Sequence, residues 1–142
     1  MLQTLRDHCD TVEECYEFML AYAAQGLPGD AGSSSGDNLR ALLKRAVHAL
    51  SSLPDAYEAA ISEDNLQPAD KHLAFHSVLR RDAGDALAAV GLVLAQPSIS
   101  SQLVDNLNAS IHLRSLLTDL FLIDEIAKLH QSSKDHAISA EI

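Results

Sequence analysis

Residues 100–131 read SSQLVDNLNASIHLRSLLTDLFLIDEIAKLHQ, and this stretch decides the fold. Neither Gly nor Pro interrupts it, and its apolar residues recur with the period of a helix, not of a strand. At about 100° per residue, Val104, Leu107, Ile111, Leu122, Ile126 and Leu129 fall on one side of a single helix. Leu113, Leu116, Leu117, Leu120, Ile123 and Ala127 fall on another. One apolar stripe is enough to dock a helix into its own domain. A second stripe needs a second surface, so Val104 to Leu129 are read as a subunit interface, most simply that of a homodimer.

Upstream, the same period recurs. Leu2, Leu5, Cys9, Val12, Tyr16, Met19 and Ala23 step by three and four, which predicts one helix from Leu2 to about Gln25. Thr11-Val12-Glu13-Glu14 also fits a capping box, so a break near Thr11 is the alternative. Gly26 and Pro28 stop that helix. Residues 26–37, GLPGDAGSSSGD, read as a flexible connector, mobile and dispensable over residues 28–36. Asp37 is the expected N-cap of a second helix with the seam Leu39, Leu43, Ala46, Leu50 and Leu53, which Pro54 should break or kink. Ser62 to Gln67 is a polar turn, and Pro68 suits the first turn of a third helix, Ala69 to Gln96. Gln96-Pro97-Ser98 is a tight connection, with Ser98 or Ser100 as the next N-cap. The tail, residues 132–142, is polar and expected to fray. The fold class predicted is all-α: one domain, residues 1–142, built as an up-down-up-down four-helix bundle.

Composition narrows the function. The chain of 142 residues carries ten Lys and Arg against twenty Asp and Glu, a formal charge of −10. Phosphate backbones and anionic membranes both recruit positive charge, so neither nucleic acid nor membrane is an expected partner. The N-terminus is amphipathic and carries acid early, unlike a signal peptide. Cys9 and Cys15 sit about 9 Å apart along one helix, too far for a disulfide. A reduced, cytoplasmic protein without a cofactor follows. The run Asp7, Asp10, Glu13, Glu14 and Glu17 reads as a solvated face that could also attract a basic protein.

Three constellations could carry chemistry. His72 and His76 share a face of the third helix, at a spacing from which two imidazoles can hold one metal ion or contact a small ligand. Neither His-Glu-x-x-His nor Glu-x-x-His accompanies them. Asp105, His112 and Asp119 recur every seven residues, as a polar seam between the two stripes. His48 faces away from its helix's seam, with Lys44 and Arg45 one turn before it and Ser51 and Ser52 one turn after. Over Ala46 to Ser52 this resembles a histidine phosphotransfer domain, whose exposed His accepts a phosphoryl group steadied by positive charge. The resemblance implies His48 as phosphoacceptor, although Ser51 and Ser52 stand where that family carries Lys and Gly. The leading expectation is a non-enzymatic accessory or regulatory bundle that acts through protein contacts.

Overall fold

The computed structural model describes the backbone of residues 1–141 and the side chains of residues 1–135. The described residues are helical throughout, in five helices: α1 (Leu2–Ala24), α2 (Ser34–Glu63), α3 (Ala69–Leu94), α4 (Ser101–Ala109) and α5 (Ile111–Glu141). None is long and apolar enough to cross a membrane among the described residues.

α1 is unbroken at Thr11, whose hydroxyl donates back to the Asp7 carbonyl within the helix. Its seam is buried against α2, and the two run antiparallel: the backbone N–H of Leu2 donates to Asp64, just past the end of α2. α2 departs from expectation at both Asp37 and Pro54. Ser33, not Asp37, is its N-cap, accepting from the Gly36 N–H. The helix also continues past Pro54 to Glu63 without a break. The proline removes one backbone donor, at a cost of about 3 kcal/mol. Ala56, Tyr57, Ala60 and Ile61 extend the buried stripe beyond it, and their burial offsets that loss.

The connector before α2 is pinned, not free. Asp30 is buried, its carboxylate bidentate with Arg40 and accepting from the Ile99 N–H at 2.7 Å. Arg40 also donates to the Leu94 and Gln96 carbonyls, tying α2 to the end of α3. These bonds hold the Asp30 carboxyl down at about 2. Gly36 packs so closely on the Asp30 carbonyl that any Cβ would collide with it. Beneath, Tyr22 donates to the Ile99 carbonyl and Ser101 to the Tyr22 carbonyl, both fully buried.

The largest correction concerns residues 100–131. They form two helices, because Ser110 is extended (ψ 142°) and its hydroxyl accepts from Leu113 N–H as the N-cap of α5. The break changes the phase of the apolar pattern. Val104 and Leu107, on α4, turn into the core against α1. The stripe from Leu113 to Ala127 is buried, as a docking face should be. α5 lies antiparallel to α3: residues 122–126 sit beside Lys71 to Phe75, and Asp119 beside Asp82. The tail expected to fray is helical to Glu141, and the side chains of residues 136–142 lie outside those described.

Candidate functional site

The site grows from the joint of α2, α3 and α5. Tyr57 is buried beyond Pro54 on α2, and His72 and His76 come from the first two turns of α3. Both imidazoles pack around the Tyr57 ring, with centroids 5.8 and 6.0 Å away. Tyr57 Oη and His72 Nδ1 are 2.6 Å apart. Burial pushes the Tyr57 hydroxyl up to about 12, so the phenol keeps its proton and donates. Burial likewise pushes the His72 imidazole down, helped by the nearby His130, while a backbone hydrogen bond at Gln67 works against both. His76 Nε2 lies 2.9 Å from the Pro54 carbonyl. A carbonyl only accepts, so Nε2 carries the proton. These bonds use Nδ1 of His72 and Nε2 of His76, and the second nitrogen of each ring takes no part in them. Among the described residues no group of three or more His, Cys, Asp or Glu is arranged to hold a metal ion.

Against this joint α5 lays Leu122, Ile123 and Ile126. They enclose a half-open cavity of about 400 Å³ with Tyr57, His72 and Phe75, and with Gln67, Pro68 and Lys71 at its other wall. The wall is almost wholly apolar, with Lys71 its only charged residue. Leu122 and Ile126 thus do two things: one edge of each lines the cavity, and the rest faces outward. Outside the cavity the stripe continues with Ile111 and Leu129. These four residues are 72% (Ile111), 50% (Leu122), 42% (Ile126) and 64% (Leu129) exposed. Of the six residues expected to form an interface, these four reach the surface, whereas Val104 and Leu107 are core.

The expected polar seam is divided. Asp105 and His112 are exposed on different helices. Asp119 is buried at 6% exposure, beside Asp82 of α3, with Oδ2 lacking any partner. Burial first, and then the Asp82 carboxylate, pushes the Asp119 carboxyl up to about 7. Sequence reading missed this pair, since the two residues lie 37 apart (119 − 82) and only the α3–α5 register joins them. A buried acid at a helix position between two apolar faces was its one local signal.

His48 is exposed on α2, as the pattern required. Its ring meets His8 of α1 edge-on, with centroids 6.2 Å apart. Arg45 reaches across to Glu14, and Ser51 and Ser52 turn their hydroxyls back to the Val47 and His48 carbonyls. His48 thus lies on the surface where α1 meets α2. Cys9 and Cys15 are both buried thiols, pushed up to about 12 by burial. No protein-family model matches this chain, and neither a curated protein nor a solved structure is detectably similar to it.

Proposed function

We propose that this protein is a non-enzymatic accessory or regulatory module that acts through protein contacts, as a homodimer joined along α5. We read α4 and α5 as one interrupted fourth segment, so the architecture is an up-down-up-down bundle whose last element is split. The two buried, unpaired thiols suit a reducing, cytoplasmic setting.

The observation that carries this reading is the outward stripe of Ile111, Leu122, Ile126 and Leu129. It spans about 27 Å of helix. Four large apolar side chains stand exposed along one helix, with Ser115 and Thr118 between Ile111 and Leu122, which is more apolar surface than a helix needs to dock into its own core. A second copy fits it in a specific way. In an antiparallel pair of α5 helices, with the two-fold axis level with residue 120, Ile111 of each copy falls opposite Leu129 of the other. Leu122 and Ile126 then meet the smaller Thr118 and Ser115. Arg114 comes within one residue of the level of Glu125, twice by symmetry, which sets charge complementarity where a parallel pair would set Arg against Arg.

Sedimentation tests it. The wild type should sediment as a dimer at micromolar concentration. Leu122→Glu with Ile126→Glu should give a monomer of unchanged helical content, because both side chains are substantially solvent-facing. A wild type that stays monomeric well above that range, or a double variant that remains a dimer, refutes the reading.

A further inference from the structure

The α3–α5 cavity does not end at Ile126. Gln67, His72 and Ile126 also line a second hollow of about 400 Å³, which adds Asn65, His130 and Ser133. Leu66 and Leu129 complete its lining, so one groove has an almost wholly apolar half, under Phe75, Leu122 and Ile123, and a mixed half in which Asn65, Gln67, His130 and Ser133 stand beside apolar side chains. Each half falls in the size range of small-molecule sites, about 300–1,000 Å³.

Its charge is the unexpected property. The chain has twenty acidic residues against ten basic ones, yet among the described residues no Asp or Glu lines either hollow. The ionisable side chains in their walls are Lys71, Tyr57, His72 and His130. Against the net charge of −10, the one formal charge in these walls is the positive Lys71, whose ammonium also pairs with Asp70 at 3.9 Å outside them, next to an apolar floor. Such a combination recognises a molecule with a hydrocarbon body and an anionic head.

The geometry points to a binding site for a free, unbranched monocarboxylate, its chain against Phe75, Leu122, Ile123 and Ile126 and its carboxylate toward Lys71, Gln67 and His130. His72 borders both halves, and Tyr57 holds it from the apolar side. Their mutual hydrogen bond fixes that border before any ligand arrives, so little ordering is needed on binding. This site does not depend on self-association, although it shares Leu122, Ile126 and Leu129 with the outward stripe.

Calorimetric titration with decanoate, decylamine and 1-decanol, each kept monomeric in solution, tests it. Decanoate should bind one per chain, and decylamine should not bind. Octanoate should bind up to about fifteenfold more weakly than decanoate, since each buried methylene is worth about fourfold. Lys71→Gln, a change at an exposed position, should weaken decanoate about two- to fivefold and leave decanol unchanged. Leu122→Trp, which fills the apolar half from a half-exposed position, should abolish binding of both. Ile111→Glu lies outside the groove and should bind as the wild type does, whatever its oligomeric state. Failure of decanoate to bind overturns the inference. So does equal binding of decylamine, or affinity indifferent to both Lys71→Gln and Leu122→Trp. A wild type found to be monomeric that still binds decanoate removes the homodimer and supports the site.

Discussion

Replacing Asp119 by Asn should make the protein more stable at neutral pH and leave it nearly unchanged in acid. Asp119 is buried against Asp82, and its Oδ2 has no hydrogen-bond partner. Its carboxyl, at 3.8 in an unfolded chain, is pushed up to about 7 by burial and by Asp82. The sign follows from which state holds the proton. Below the unfolded value both states are protonated and Asp119 contributes no pH dependence. Between 3.8 and about 7 the native state keeps its proton and the unfolded state does not, so stability falls as pH rises. Above about 7 both are ionised and the loss is complete. At 1.36 kcal/mol for each pH unit, that loss is up to about 4 kcal/mol.

Asn cannot ionise, and its amide N–H can donate to Asp82 where the acid's proton otherwise sits. Urea denaturation followed by circular dichroism at about pH 4, 6 and 8 measures the difference. The variant should exceed the wild type by about 2–4 kcal/mol at pH 8. The gap should shrink to within about 0.5 kcal/mol at pH 4. Asp82→Asn should narrow the gap only in part, because burial, the larger cause, remains. A gap that stays constant with pH, or a variant weaker than the wild type at pH 8, refutes the reasoning.

Other outcomes follow from the same kind of reading. Asp30→Ala should cost about 2–3 kcal/mol, since it strands Arg40 and the Ile99 N–H together. Because the Asp30 carboxyl is held at about 2, its share of stability is present at neutral pH and is lost as pH falls from about 4 towards 2, which acid titration of wild type against variant would show. Asn108 is buried with both amide atoms unpartnered, so Asn108→Leu, of similar size, should raise stability by about 1 kcal/mol or more in urea denaturation.

The helices were legible because each carries one strong apolar seam. Leu39, Leu43, Ala46, Leu50 and Leu53 on α2 are buried as their spacing required. The errors fall where a local rule met a stronger tertiary term. Pro54 should stop a helix, but Ala56 to Ile61 had a core to enter, and burial prevailed over one lost hydrogen bond. Gly and Ser in residues 26–37 signal freedom only while Asp30 is taken as one more polar loop residue. Its partner Arg40 looked like an ordinary residue on the polar side of α2. The division at Ser110 had a sequence signal, a Ser three residues before Leu113, which is N-cap spacing. Without Gly or Pro beside it, that signal was weaker than the unbroken apolar period around it.

The candidate site was legible only in pieces, for a reason of geometry. His72 and His76 were marked by their shared face, and Leu122 and Ile126 by a stripe in surplus of what one core needs. Each reading is local to one helix. What joins them is the antiparallel register of α3 and α5, which sets residues 71–75 beside 122–126 and brings in Tyr57 from α2. No period within one helix encodes that register. It follows from how the faces of three helices pack, and it turns two separate expectations, a histidine pair and an interface, into neighbouring parts of one groove. Leu122 and Ile126 belong to both. A ligand that fills the groove must therefore touch side chains that a second copy would also cover, and any effect of ligand on dimer would be returned equally by dimer on ligand.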